Sequence, residues 1–285
     1  MNGDLSTTDP LAPLGDLPGV PDAVAAVRAA VDGVHGHRVM RRRSPEVAAE
    51  AALRGARASA ALDGADWALE EVRRRSDFGA DAEARTVGAA LRLSAEAGQL
   101  LSVWRASPSR VLARLHLLAA GGVNGGGPDV PAVGRPRLAG EAVDETALDG
   151  LTARGVALPG ADEMAARLDA LGALVVAGSR APALVQAAVV HGELLALRPF
   201  TSHNGLVARA AQRIVLVSSG LDPKSVTPAE VGHAEAGRDA YLTALAGYAA
   251  GTPEGVAAWI THCGRAVELG ARESVAVCEA LQRGA

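Results

Sequence analysis

The sequence predicts an all-α protein. Of its 285 residues 49% are hydrophobic but only 2% are aromatic, so alanine, valine and leucine supply most of the apolar mass. That composition is typical of closely packed helices rather than of strands. Apolar residues recur at helical spacing along most of the chain, and neither an internal repeat nor a Pro/Ser-rich linker divides it. We therefore expect one mainly helical domain with an N-terminal helical extension and very little strand.

The N-terminal part of the chain is predicted to contain a leader and two long helices. Residues 1–19 lack periodicity and are predicted to form a disordered leader or a loosely packed arm. From Pro21 onward, four valines at helical spacing predict a first helix. The tripeptide Ser-Pro-Glu at 44–46 supplies an N-cap, a first-turn proline and a first-turn acid, which predict a second helix ending near Leu62.

The remaining elements follow from the same signals. A short helix is expected near Trp67, a long one from Asp81 to Trp104, and another that begins at 107–108, Ser-Pro. Residues 121–140, GGVNGGGPDVPAVGRPRLAG, predict a long loop or a small hairpin flap. Helical periodicity returns in five segments, 161–177, 181–197, 205–219, 228–248 and 254–282. The predicted organisation is a leader (1–19), an N-terminal helical region (20–105) and a helical core (106–285).

Charge and composition exclude several classes of function. A net charge of −4 does not favour nucleic acid or anionic lipid as a partner. The N-terminus lacks a signal sequence, and no run approaches the roughly 18 apolar residues of a membrane helix, so we expect a cytoplasmic protein. Cys263 and Cys278 lie fifteen residues apart on one predicted helix, too far to pair with each other. Lys224 is the sole lysine beside many arginines, which suggests a GC-rich bacterial coding sequence.

The segment 197–209, LRPFTSHNGLVAR, places polar residues between two apolar helical segments. An Asn-Gly pair at a helix start presents unpaired backbone N–H groups and the positive end of the helix dipole, which together can hold phosphate. We therefore predict phosphate or nucleotide binding by Asn204, Gly205 and Arg209, the last of which lies one turn into the helix. The alternative is an ordinary interhelical loop with an asparagine N-cap.

The same segment resembles the signature of the Fic (Fido-fold) family, His-Pro-Phe-x-Asp/Glu-Gly-Asn-Gly-Arg-x-x-Arg. Five residues match in place, Pro199, Phe200, Asn204, Gly205 and Arg209. His191 precedes Arg198 by seven residues, as in the family pattern. Downstream, AEAGRDAYLTALAGYAAGTPEGVAAWI resembles the family's Tyr-containing helix and Trp-containing final helix. The resemblance spans about residues 45–275 and implies the helical Fic fold.

A second motif lies upstream. The segment 59–64, SAALDG, resembles the inhibitory motif Ser/Thr-x-x-x-Glu-Gly/Asn of relatives that carry an autoinhibitory helix, and its matching residues are Ser59, Asp63 and Gly64. In such relatives the acid binds the last arginine of the signature and blocks the terminal phosphate of the nucleotide. We therefore predict that Asp63 and Arg209 face each other within about two hydrogen-bond lengths. A purely structural ion pair is the alternative. The resemblance also places Arg135 and Arg137 in a substrate-docking flap.

Four positions depart from the signature. Active Fic proteins, as the resemblance implies, transfer AMP to protein hydroxyls with the motif histidine as base and the acid holding Mg²⁺. Here Arg198 stands at the histidine position, and a guanidinium cannot accept a proton near neutral pH. Ser202 offers Mg²⁺ no charge. His203 replaces a phosphate-cradling glycine, and Leu206 replaces an arginine.

These departures predict a degenerate Fic protein, a regulatory or interaction module with an unknown protein partner that could still bind a nucleotide such as ATP with Mg²⁺. The alternative is an altered nucleotidyl transferase in which His203 acts as the base. Arg198 could instead hold a phosphate. His116, His233 and His262 lack ligand spacing, so no structural metal is predicted. A homodimer is compatible with the resemblance.

Overall fold

The computed structural model describes residues 9–121, 132–144, 148 and 150–284, and over this part of the chain it contains helices and no strand. The helices are α1 Val20–Gly36, α2 Met40–Leu62, α3 Leu69–Arg74, α4 Ala82–Ala97, α5 Leu101–Trp104, α6 Pro108–Ala119, α7 Ala161–Ala177, α8 Ala183–Leu197, α9 Asn204–Ser218, α10 Ala229–Ala236, α11 Arg238–Ala249 and α12 Pro253–Arg283. Short 3₁₀ turns cover Ala12–Asp16, Gly98–Leu100 and Thr152–Arg154. The all-α prediction is confirmed.

Helices α8 and α9 form the centre of the molecule. Nearly every residue of both is buried, and they pack against each other along their length. The long helix α12 packs against α1, α8, α10 and α11, while α2 packs against α4, α9 and α10. Glycine allows close helix contact where α10 crosses α12, because a Cβ at Gly232 would collide with the backbone of Ala266. The motif loop between α8 and α9 is thus held by buried helices on both sides.

Local signals predicted the helix starts well. Asp81 caps α4, because its carboxylate accepts a hydrogen bond of 2.7 Å from the N–H of Ala84. Helix α2 begins at Met40 but contains a non-helical residue at Arg43, so its straight part starts at the predicted Ser-Pro-Glu signal. Two breaks were not predicted: the 81–104 segment is interrupted by the 3₁₀ turn at Gly98, and the 228–248 segment is split at Gly237.

The predicted disordered leader is wrong for residues 9–19. The Asp9 carboxylate accepts hydrogen bonds from the Ser179 hydroxyl at 2.9 Å and from the N–H of Arg180 at 2.7 Å. Leu11 is buried in the main core. The hydrogen bonds of Asp9 and the burial of Leu11 hold this segment in place, although it lacks helical periodicity of its own. Residues 1–8 lie outside the described part of the chain, as do 122–131 of the predicted flap.

Two further predictions concern the cysteines and membrane-spanning helices. Cys263 and Cys278 are both buried and unbridged, as predicted. No helix in the described ranges combines the length and the apolar character needed to cross a bilayer.

Candidate functional site

The motif loop is closed by its own asparagine. The Asn204 amide donates to the carbonyl of Phe200 at 2.8 Å, and the N–H of Phe200 donates to the Asn204 side-chain oxygen at 2.9 Å. The loop turns through two left-handed residues, Arg198 with φ 45° and His203 with φ 57°. The predicted phosphate ligand Asn204 therefore shapes the loop with its side chain, and only its backbone faces the start of α9.

Arg209 and Asp63 form the predicted ion pair. Arg209 Nη2 lies 2.5 Å from Asp63 Oδ1 and donates to the carbonyl of Ser59 at 3.0 Å, while Nε donates to the Ser59 hydroxyl at 2.7 Å. The Arg209 and Asp63 side chains are only 1% and 6% exposed. Burial by itself lowers the pKa of Arg209, but the Asp63 carboxylate and the Tyr241 hydroxyl outweigh it, and the net pKa is raised.

The Nη1 edge of the Arg209 guanidinium faces Gly205. Nη1 is buried and makes no direct hydrogen bond, although the Tyr241 hydroxyl interacts with the same guanidinium. A Cβ built on Gly205 would lie 3.0 Å from this nitrogen and 2.6 Å from Asp63 Oδ1. Glycine is therefore required at 205 by the close approach of Asp63, and the end of α2 reaches the first turn of α9 only because no side chain is there.

A cavity of about 310 Å³ opens beside this pair, between the end of α2 and the starts of α4 and α9. Its lining residues are Asp63, Gly64, Ala65, Ala82, Glu83, Thr86, Asp144, Leu148, His203, Asn204 and Gly205. Three carboxylates, Asp63, Glu83 and Asp144, make the wall acidic. Asp144 was not predicted; it reaches the site because its N–H donates to the carbonyl of Thr201 at 2.8 Å.

His203 lies in this cavity at one end of a short polar chain. The N–H of Gly134 donates to His116 Nδ1 at 3.1 Å, which places the His116 proton on Nε2, 3.4 Å from the Ser202 hydroxyl. The Ser202 hydroxyl lies 2.8 Å from His203 Nδ1. Burial lowers the pKa of His203, and the carboxylates of Asp63 and Asp144 offset part of that change. His203 is therefore a neutral imidazole near pH 7, able to accept a proton.

Arg198 stands at the position of the motif histidine but does not line the cavity, which does not favour the alternative that it holds a phosphate there. Its side chain is fully buried and donates to the carbonyls of Ala157 at 2.7 Å and Val156 at 3.3 Å. The left-handed backbone at Arg198, which ends α8, turns the guanidinium toward this neighbouring loop. Leu206 is likewise buried in the core and makes no polar contact there.

The two flap arginines have different structural roles. Arg137 is 5% exposed and donates to the carbonyls of Arg198 at 3.0 Å, Pro159 at 2.6 Å and Leu197 at 3.5 Å. It caps the end of α8, so its prediction as a substrate-docking residue is wrong. Arg135 forms an ion pair with Glu141, with contacts of 2.5 and 2.9 Å, and is partly exposed.

Sequence reasoning missed a buried polar cluster behind Arg209. One nitrogen each of His191 and His233 and the Cys263 sulfur lie within 4.8 Å of one another, and all three residues are buried. They come from α8, α10 and α12. No motif spacing connects them, so only the packing of these helices brings them together.

Comparisons with known proteins bear on the fold. No protein-family model matches the chain, and no curated protein matches it. The structure is similar to the crystal structure of a Fic family protein from Desulfovibrio desulfuricans G20, with a TM-score of 0.66 and 21% identity over 90% of this chain and 74% of that one. The chain has the Fic fold. A segment of Fic-1 from C. elegans is also similar, with a TM-score of 0.55 and 15% identity over 93% of this chain and 73% of that one.

Within this Fic fold, the two motifs predicted from the sequence meet at one place. The inhibitory-like segment forms the end of α2, and the partial signature forms the loop and first turn of α9. Asp63 and Arg209 are 146 residues apart in the sequence, so their contact depends on how α2 lies across α9. Ser59 holds the same arginine one turn earlier on α2.

Proposed function

We propose that this protein is a regulatory Fic-fold module that binds a phosphate-containing ligand, best represented by ATP with Mg²⁺, and does not transfer AMP. The main support for the loss of AMP transfer is Arg198. It stands where the signature has its catalytic histidine, and its buried guanidinium is held on backbone carbonyls. A guanidinium stays protonated, and losing a positioned base typically costs about 10²- to 10⁴-fold in rate.

The first turn of α9 supports anion binding. The free N–H groups at a helix start and the positive end of its dipole favour a phosphate oxygen. The unpartnered Nη1 of Arg209 lies over Gly205, where the absence of a side chain leaves room for close approach. The N–H groups at the start of α9 and Arg209 Nη1 are the donors for an anion beside Gly205, and the Asp63 carboxylate lies next to that position.

Asp63 would therefore act as a gate. Its carboxylate is held by Arg209 and carries the same charge as the phosphate that the site would accept. A ligand must displace this carboxylate, so only molecules in which α2 has released Arg209 can bind it. The apparent affinity is therefore the intrinsic affinity multiplied by the fraction of such molecules. We infer that release of α2, by a protein partner or by the ligand itself, is the regulated step.

The acidic wall supports a ligand that arrives with a cation. Asp63, Glu83 and Asp144 would repel a bare polyphosphate in this partly enclosed cavity. Mg²⁺ binds through one or two carboxylates together with substrate phosphates and several waters. Asp144 is positioned beside the motif loop to contribute such a carboxylate in place of the uncharged Ser202.

Calorimetric titration of ATP with Mg²⁺ into the wild type, Asp63→Gly and Asp66→Gly tests the gate. Asp63→Gly should tighten binding at least about tenfold, equivalent to about 1.4 kcal/mol. Asp66→Gly is the matched control, because Asp66 is exposed three residues further along the chain and pairs with Arg57, not Arg209. It should leave the affinity at the wild-type level.

A second substitution identifies the position of the phosphate. Gly205→Ala in the Asp63→Gly background places a methyl group 3.0 Å from Arg209 Nη1, where the anion should lie, and should abolish the gained binding. Thermal unfolding of each variant establishes that it is folded. If folded Asp63→Gly gives no binding heat, or if Gly205→Ala leaves its binding intact, the proposed phosphate site is wrong.

The alternative function is an altered nucleotidyl transferase. It is favoured by His203, a neutral imidazole in the cavity beside the start of α9. A target hydroxyl would attack the α-phosphorus of ATP, His203 would accept the hydroxyl proton, and pyrophosphate would leave with the electrons of the broken P–O bond. Labelled ATP should then modify protein in the Asp63→Gly variant, and the label should disappear with the additional His203→Ala change. Such a result would contradict the loss of transfer proposed above.

A further inference from the structure

The buried cluster of His191, His233 and Cys263, here called the His–Cys cluster, lies on the far side of Arg209 from the cavity. The three potential ligand atoms lie within 4.8 Å of one another. The His191 and His233 side chains and the Cys263 sulfur are fully buried, and they belong to three different helices. This combination of nitrogen and sulfur donors is the type found in zinc and copper sites.

Both histidines of the cluster contact neighbouring polar groups, His191 through one ring nitrogen and His233 through both. His191 Nε2 lies 2.7 Å from the Tyr241 hydroxyl, and His233 Nε2 lies 3.1 Å from the Gln212 side-chain oxygen. Metal-binding histidines characteristically use one nitrogen for the ion and fix the other in a hydrogen bond to a nearby acceptor. His191 Nδ1 is therefore the candidate ligand atom of that histidine, and an ion at His233 Nδ1 would replace its contact with His262 Nε2.

Two buried polar atoms in this region lack partners. His191 Nδ1 and Gln212 Nε2 make no hydrogen bond and are shielded from solvent. An unsatisfied buried polar atom typically costs about 1–3 kcal/mol, and in native proteins it often marks an ion or ordered water. Aromatic packing accounts for the burial of the rings, since His191 lies 5.1 Å from Trp259 between ring centroids. It does not account for an imidazole nitrogen left unpaired in the core.

The charges of the cluster restrict the kind of ion. The cluster offers two imidazole nitrogens and one thiol, and a thiol gives up its proton when it binds an ion. Two imidazoles and one thiolate suit soft or borderline ions, and they do not suit Mg²⁺ or Ca²⁺. With a single thiolate, Cu⁺ gives a neutral site, whereas Zn²⁺ leaves one positive charge near buried Arg209.

We propose that His191, His233 and Cys263 bind a d¹⁰ metal ion, Cu⁺ or Zn²⁺, between α8, α10 and α12. Bond lengths of about 2.0–2.3 Å place the ligand atoms of one ion about 3.3–3.8 Å apart, so binding draws the cluster together by about one ångström. His262 Nε2 lies 3.2 Å from His233 Nδ1, and His262 is only partly buried. His262 therefore lies on the more exposed side of the cluster, next to His233.

The test uses the full chain, stripped with a chelator under reducing conditions and reloaded separately with Zn²⁺ and with Cu⁺. Excess metal is removed and the bound metal is quantified by mass spectrometry. We expect about one ion per wild-type chain for at least one metal, with the metal-loaded protein unfolding at a higher temperature than the stripped protein. Comparing the metal retained after loading with Zn²⁺ and with Cu⁺ identifies which ion the site binds.

Cys278 provides the matched control. It is buried on the same helix as Cys263 but is absent from the cluster. Cys278→Ala should load as the wild type does, while Cys263→Ala should lose at least about tenfold in affinity. If Cys263→Ala proves unfolded, His262→Ala, at the solvent side of the cluster, replaces it and should slow or weaken loading. Equal loading of folded Cys263→Ala and Cys278→Ala, or a wild type that retains neither metal, would overturn the proposal.

Discussion

At the residue scale, two arginines explain why the motif loop differs from a catalytic one. Arg137 donates to the carbonyls of Leu197 and Arg198 at the end of α8, and Arg198 donates to carbonyls of the neighbouring 156–157 segment. Carbonyls at a helix C-terminus have no intrahelical partner, and the dipole there favours a cation. The arginine at the motif histidine position thus has a structural role, holding the 156–157 segment against the loop, rather than a position in the cavity.

Arg137→Ala should lower the free energy of unfolding by about 3 kcal/mol, because it removes charge-assisted hydrogen bonds to buried carbonyls. Denaturant unfolding measures the effect. Arg135→Ala is the control, since Arg135 is partly exposed and its ion pair with Glu141 is partly exposed too, and its unfolding curve should stay close to the wild type. If the two variants lose similar stability, Arg137 does not cap α8 in solution.

At the scale of elements, the junction between α10 and α11 shows where helical periodicity misleads. Apolar positions continue across residues 228–248, yet the helix stops at Gly237, whose φ of 90° and ψ of 146° lie in a region open mainly to glycine. The break lets α10 lie against α2 and α12 while α11 follows a different direction along α12 and α8. It also brings the rings of His233 and Tyr241 together, with 5.0 Å between their centroids.

Gly237→Ala should destabilise the protein by about 1–3 kcal/mol, because an alanine is strained in this conformation. Gly33→Ala is the opposite control. Gly33 lies exposed in the interior of α1, and a Cβ there meets no atom within 4 Å. Its replacement should stabilise the protein by up to about 1 kcal/mol. Thermal and denaturant unfolding of both variants measure these changes in stability. A Gly237→Ala variant as stable as the wild type would contradict the observed break.

At the scale of the whole molecule, folding depends on keeping polar side chains neutral or paired inside an alanine- and valine-rich core. Arg209 is paired with Asp63, and Arg213 with Glu230 at 3.0 Å. His116 is buried without a carboxylate partner. Burial, with His203 nearby, lowers its pKa from 6.5 to about 4. The folded state therefore excludes a proton that the unfolded chain accepts.

This difference predicts acid sensitivity. Above pH 6.5 His116 is neutral in both states, so its titration has no effect on stability there. Between pH 6.5 and about 4 only the unfolded state binds the proton, so the unfolding free energy falls as pH falls, by about 1.4 kcal/mol per pH unit. His116→Asn should flatten the profile over this range in denaturant unfolding. Profiles of equal slope would mean that His116 titrates normally in the folded protein.

The sequence by itself determined the helices and one long-range contact. Periodicity, the Asp81 cap and the Ser-Pro-Glu signal act within a few residues, so they can be recognised locally, and the partial signature with the SAALDG segment correctly predicted that Asp63 meets Arg209. The predicted roles of these residues in binding and inhibition remain predictions.

Only the tertiary structure decided where the other polar groups point. The orientation of Arg198, the buried position of Arg137, the arrival of Asp144 at the cavity and the meeting of His191, His233 and Cys263 all depend on how separate helices and loops pack. No residue near these positions in the sequence specifies their partners. Such contacts are stabilised by the burial of whole helix faces against each other, and no single segment of the sequence specifies which faces will meet.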